Sequence, residues 1–159
     1  MEGIHLLEEV TRDTIRLVMS FSPQYLDYAA VTMWSVMLSL RKGAKVRLTV
    51  LHAGLAEEGI RRFSVALQEW ENLSIGFTDI TPFAEKYGLP PEAVKAQPTC
   101  YPLLCAELFP QEEKILLLDG DLIVKQVITG LWETPLRDGL IAAVADVDFN
   151  GQIRSGNRQ

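Results

Sequence analysis

The sequence predicts an α/β domain: a mostly parallel sheet flanked by helices. Three observations lead there. Short apolar runs rich in β-branched residues recur along the chain, amphipathic segments with helical spacing lie between them, and the run KILLLD from Lys114 is apolar without alternation. Such a run marks a strand covered on both faces, and strands alternating with helices form parallel sheets. With 159 residues, 48% of them hydrophobic and 23% charged, the chain can fill one globular core.

Residues 1–14 form an extension whose HLL and EEV signals conflict. Ile15 to Ser20, IRLVMS, reads as the first buried strand of a domain running over residues 15–149. Ser22-Pro23 then starts a helix, since a serine side chain can accept first-turn amides and proline at the first helical position forfeits no bond. Leu26, Ala30, Met33, Met37 and Leu40 recur at helical spacing, and Gly43 is placed to end that helix.

VRLTVLH from Val46 is the second strand, and the acids of GLAEE suit the positive end of the next helix, whose buried stripe is Ile60, Phe63, Leu67 and Trp70. LSIGFTD from Leu73 alternates as a third strand. Pro82 to Lys95 is expected to form short helical turns in a long connection, and Tyr101 to Phe109 a short buried helix that Pro110 terminates. KILLLD and LIAAVAD, from Lys114 and Leu140, complete the strands, and residues 150–159 form a polar tail.

A net charge of −6 argues against a surface built to neutralise nucleic-acid phosphates. Cys100 and Cys105 match neither a CxxC metal site nor a disulfide framework, so both are read as reduced thiols. The first 13 residues lack a basic leader, and no apolar run approaches the roughly 18 residues of a membrane span. These readings point to a cytoplasmic protein without a transmembrane segment, compatible with peripheral membrane contact.

The segment that carries chemistry is KILLLDGDLIV. It delivers Asp119 and Asp121 to the carboxyl end of a strand, where open α/β sheets form ligand crevices. Residues two apart in extended chain share a side, roughly 6 to 7 Å apart, so both carboxylates can reach one hard cation. Oxygen donors favour Mn²⁺ or Mg²⁺, and Gly120 lets a diphosphate approach the backbone. The competing reading is an Asp-Gly hairpin turn with Asp121 merely solvated.

Three blocks resemble glycosyltransferase family 8. LVMSFSPQYLDYAAVTMWSVML is similar to its first strand and helix, VLHAGLAEE to its VLxxGLSEE segment, and KILLLDGDLIVKQVITGLWETPLRDGLIAAVAD to its KVLYLDxDxxV…LxxLWxxxLxxxxxAAVxD block. They span about residues 15 to 148 in one order. The resemblance implies a Rossmann-like GT-A fold, truncated at its C-terminus, and transfer of a hexose from a UDP-sugar with retained anomeric configuration. It implies that Asp119 and Asp121 bind the metal and that Asp146 contacts the donor sugar. Ser20, Phe21, Ser22, Tyr25 and Gly120 fall at its nucleotide-binding positions. On the residues alone, Tyr25 is more readily a core aromatic, and Asp146 equally a solvated acid.

The chain also departs from the family pattern. Ser22 and Pro23 stand where acids contact the uridine, and Tyr101-Pro102-Leu103 where a Tyr-x-Arg supplies a cation. The family's HxxGxxKPW motif, with its third metal ligand, has no counterpart; His5 and His52 both precede the carboxylates. The expectation is therefore a glycosyltransferase domain with weak Mn²⁺ binding and weak or no turnover, toward an acceptor the sequence does not specify. The alternative is a non-catalytic nucleotide-sugar-binding or structural module, and absent later elements predict a homo-oligomer through uncovered apolar surface. LLLDGDLI also resembles the strand-end motif of haloacid-dehalogenase phosphatases, which however carry it on the first strand.

Overall fold

The computed structural model describes residues 14–88, 90, 98–136 and 139–144. Four strands form one parallel sheet: β1 (Thr14–Ser20), β2 (Lys45–His52), β3 (Leu73–Asp79) and β4 (Leu116–Asp119), in the order β3-β2-β1-β4. Between β1 and β2 lie a 3₁₀ turn (Pro23–Tyr25) and helix α1 (Leu26–Leu38), and between β2 and β3 helix α2 (Glu57–Ala66). The return from β3 to β4 carries α3 (Thr81–Lys86), a 3₁₀ segment (Pro98–Leu104) and α4 (Cys105–Leu108); α5 (Ile128–Glu133) follows β4.

Strand alternation divides the apolar residues between two faces. Ile15, Leu17 and Met19 of β1, Val46, Leu48 and Val50 of β2, and Leu116 and Leu118 of β4 turn to one side. There they pack against Leu26, Ala29, Met33, Val36 and Phe63 of the helices. Phe63 is fully buried, with its ring 5.5 Å from that of Phe21 and 6.1 Å, edge-on, from that of Phe77. The two helices are joined where Trp34 Nε1 donates to the Ala66 carbonyl at 2.9 Å and its ring meets that of Trp70 at 5.1 Å.

The opposite face carries a smaller cluster of Val18, Leu51, Ile80, Tyr101 and Cys105, covered by the β3 to β4 return. Burial pushes the Cys105 thiol up to about 11, so it is an inert packing residue rather than a nucleophile.

The first three strands and two helices follow the sequence reading closely, and the differences have local causes. Helix α1 stops at Leu38, well before Gly43, where its last turn tightens: the Ser39 amide bonds the Val36 carbonyl and the Leu40 amide the Met37 carbonyl, each three residues back. Ser39 Oγ donates to the Val36 carbonyl as well, a side-chain bond that competes with another helical turn. Gly43 instead takes φ +88 in the loop before β2. The helix expected from Tyr101 to Phe109 is split, 3₁₀ as far as Leu104 and α-helical only over Cys105–Leu108, since Pro102 in its first part has no amide for an α-helical bond.

Strand β4 is not fully buried: it is the edge of the sheet, and Leu117 stays 44% exposed. The strand expected from Leu140 does not form over its described residues 140–144, where Leu140 is 96% exposed. An apolar run signals a demand for burial but not a partner to meet it, and no strand pairs outside β4 among the described residues. Residues 1–13 of the extension, residues 91–97 of the connection and the tail lie outside the described residues, whereas Thr14 opens β1.

Because Phe63 joins both helices to the sheet, Phe63→Ala is expected to lower unfolding free energy by about 3 to 5 kcal/mol. Urea unfolding followed by tryptophan fluorescence checks this, with a loss below about 1 kcal/mol counting against the packing described.

Candidate functional site at the switch point of the sheet

From β1 the chain leaves through α1 on one face, and it reaches β4 through the connection on the other. The strand order thus reverses between β1 and β4, and such switch points open a crevice at the carboxyl ends of the two strands. The β1–β4 register ends on the pair Ser20↔Asp119. Ser20-Phe21-Ser22 and Asp119-Gly120-Asp121 therefore leave the sheet side by side.

Both aspartates are exposed, and neither forms an ion pair or side-chain hydrogen bond with another described residue. Gly120 between them is buried. A Cβ there would stand 3.4 Å from Ala29 Cβ and 3.4 Å from Phe21 Cβ, so the backbone at this step lies against α1 and the β1 loop. The chain then does not reverse into a hairpin with β4. It runs along α1: Thr32 Oγ1 donates to the Leu122 carbonyl at 2.8 Å and accepts the Leu122 amide at 3.0 Å, and Ser35 Oγ accepts the Val124 amide at 2.9 Å. The hairpin reading of Asp-Gly is set aside by this path. Farther along, Ile128 of α5 enters the core and Glu133 pairs with Arg41 at 2.8 Å.

The other predicted residues fall around this crevice unevenly. Phe21 is buried in the core, with Ser20 and Ser22 partly exposed. Ser22 precedes the 3₁₀ turn with proline first, as read, but its side chain makes no capping bond; the Tyr25 amide donates to the Ser22 carbonyl at 2.9 Å instead. Tyr25 is not a core residue: it is 42% exposed, its ring 5.9 Å from that of Tyr28. Asp27 is held by Arg62 at 2.7 Å. Asp146 lies outside the described residues.

A second polar group closes the carboxyl ends of β2 and β3, where His52 pairs in register with Asp79. His52 is buried, and its Nδ1 accepts the Leu55 amide at 3.2 Å. Burial lowers its pKa below the ordinary 6.5, with nearby Asp79 pulling it back. Asp79 also accepts from the Thr81 amide at 2.9 Å and hydroxyl at 2.7 Å. His52 is thus a buried, hydrogen-bonded histidine.

Among the described residues no group of three His, Cys, Asp or Glu side chains is arranged to hold a metal. Two hard oxygen donors flanking a close backbone approach fit a divalent ion whose remaining ligands are water and substrate phosphate. Thr32 and Ser35 escaped the sequence reading of the site. The available signal was two hydroxyls three apart on the face that also carries Ala29, Met33 and Val36.

The sequence model described as Glycosyl transferase family 8 matches residues 16–159. The chain belongs to glycosyltransferase family 8. Solved structures agree on the fold. The bifunctional glycosyltransferase WbbM in its apo form superposes with a TM-score of 0.78 at 22% identity, over 91% of this chain and 25% of that one. The galactosyltransferase LgtC, solved with donor and acceptor sugar analogues, gives 0.68 at 24% identity over 87% and 49%. Mouse xyloside xylosyltransferase 1 gives 0.53 at 19% identity over 79% and 49%. This family 8 chain therefore spans a quarter to a half of those solved chains and carries the N-terminal part of the family domain. Curated protein sequences yield no significant match. Among the described residues no helix is long and apolar enough to cross a membrane.

The lowered pKa of His52 has a testable sign. Above pH 6.5 both folded and unfolded forms carry a neutral imidazole; below it the unfolded chain takes up the proton first, so stability falls as pH drops through the lowered folded value. Urea midpoints between pH 7.5 and 5 are expected to fall more steeply for the wild type than for His52→Gln, and parallel curves would refute this.

Proposed function

We propose that this domain binds the diphosphate of a UDP-hexose at the switch point, through a divalent ion held by Asp119 and Asp121, and serves hexosyl transfer. The observation that supports this most is the Ser20↔Asp119 pairing, which sets the acidic Asp-Gly-Asp step beside the Ser20–Ser22 loop. Asp119 and Asp121 would hold Mn²⁺ or Mg²⁺, which when bound supplies Lewis-acid neutralisation of the diphosphate. Gly120, whose backbone lies against Ala29 and Phe21, stands between the two aspartates and would be the backbone nearest the phosphate oxygens. Ser22 keeps a hydroxyl free of the helix to bond a base or ribose, and exposed Tyr25 offers a ring on which uracil can stack. Asp146 is assigned to the donor sugar's hydroxyls. Two carboxylates imply weak metal affinity and low turnover in this domain by itself, in a cytoplasmic setting.

Calorimetric titration of UDP-galactose and UDP-glucose, with and without Mn²⁺, tests this reading. Wild-type protein is expected to bind at least one donor more tightly with the ion present, and Asp119→Asn to lose that gain while keeping the wild-type urea midpoint. Binding indifferent to Mn²⁺ in both proteins would overturn it. A parallel donor-hydrolysis assay tells turnover from binding.

Exposed Leu117 on the edge strand, together with exposed Leu140, Ile141 and Val144, favours a second reading, a structural module that self-associates. On that reading light scattering at micromolar concentration gives at least a dimer mass. A monomer mass there rejects it and leaves the donor-binding proposal standing.

A further inference from the structure

We infer that Thr32 and Ser35 of α1 are positioning residues for the acidic step, fixing Asp121 as the sheet fixes Asp119; this rests on the metal-binding reading above. The two carboxylates are held by different means. Asp119 is the last residue of β4 and pairs with Ser20, so the sheet sets its backbone. The ladder stops there, and among the described residues no strand pairs with Asp121.

The chain beyond Asp121 is nevertheless tied down at its next residue. The Thr32 hydroxyl both donates to and accepts from the backbone of Leu122, substituting for a neighbouring strand's carbonyl and amide. Ser35 repeats the device two residues on, accepting from the Val124 amide while its own hydroxyl donates to the Thr32 carbonyl at 2.7 Å. The geometry matches on both sides, because residues three apart share a helix face and residues two apart share a side of extended chain.

Burial separates this pairing from a surface accident. The Thr32 residue is fully buried although Leu122 is 40% exposed, so removing its hydroxyl takes away the partner that the Leu122 amide and carbonyl have on the helix side. With Gly120 packed on Ala29 from the same helix, the whole turn from Asp119 to Val124 is referred to α1. Outer-shell groups that orient metal ligands typically change metal affinity about 10- to 100-fold when removed.

The experiment measures Mn²⁺ affinity by electron paramagnetic resonance of the free ion in wild type, Thr32→Val, Thr32→Ser, Ser35→Ala and Asp119→Asn. Hydrogen exchange of the Leu122 and Val124 amides is followed in the same proteins. Thr32→Val is expected to weaken Mn²⁺ binding about tenfold and to speed exchange at Leu122, with core amides of β1 unchanged; Thr32→Ser is expected to restore both. Should Thr32→Val fail to fold, Ser35→Ala decides through the Val124 amide and the ion affinity. Wild-type Mn²⁺ affinity in folded Thr32→Val and Ser35→Ala, beside loss in Asp119→Asn, would overturn the positioning role alone. Equal, negligible binding in wild type and Asp119→Asn would instead remove the metal-binding reading and the positioning role with it.

Discussion

The pairing of β4 against β1 is the constraint on which the arrangement of this domain turns. Four residues, Leu116 to Asp119, lie in register with Leu17 to Ser20, after a connection that has crossed the sheet from β3 on its far edge. That return creates the switch point, because β1 sends its chain to one face and β4 receives its chain from the other. The same register brings the acidic step to the loop after β1, seats Gly120 against Phe21 and Ala29, and aims the following segment along α1. A slip of one residue would exchange the faces of Leu118 and Asp119, placing a carboxylate in the core. Leu116 and Leu118 packing under the helices is therefore what holds Asp119 outward.

Charge sharpens what such a site needs. The chain carries a net charge of −6, and the acidic step adds two exposed carboxylates where an anionic diphosphate would arrive. Several of the described cations are engaged elsewhere: Arg16 with Glu112, Arg62 with Asp27, Arg41 with Glu133, and Lys114 with the Trp132 carbonyl and ring. Tyr101, at the position where the family pattern has a Tyr-x-Arg, is buried in the opposite-face cluster, and Leu103 is exposed and apolar. Two acids facing a diphosphate repel it unless a cation lies between, so the charge argument and the donor chemistry of the aspartates lead to the same ion.

Local signals made much of this legible. Ser20, Leu26, Met33, Phe63 and Asp79 sit in the elements their spacing foretold, because period and turn chemistry are written over a few neighbouring residues. The place of Asp119 at the carboxyl end of a strand was also readable, from the apolar run before it, though the strand order that makes this end a switch point was not. Partnership was not. Nothing near Leu117 says that its strand is an edge, nothing near Leu140 that its run finds no ladder within the described residues, and nothing near Tyr25 that its ring faces solvent. Thr32 is the clearest case: its hydroxyl looks like a polar intruder on an apolar face until Leu122, 90 residues away, arrives beside it. Ser22 failed in the opposite sense, since residue preference foretold a cap and the backbone conformation supplied the bond from its carbonyl.

These two kinds of support differ in how they yield. The core around Phe63 draws on two helices and all four strands, whereas β4 itself pairs on one side over four residues and the step after it hangs on two hydroxyls. Local opening free energies follow such differences in burial and ladder support. The acidic step can therefore loosen while the core stays intact, and loosening would separate Asp121 from Asp119 before it disturbs either strand. An ion bridging the two carboxylates would oppose that separation by binding only the closed arrangement. The acidic step and any ion it holds then stabilise each other, and the weakest part of the sheet becomes the part most sensitive to its ligand.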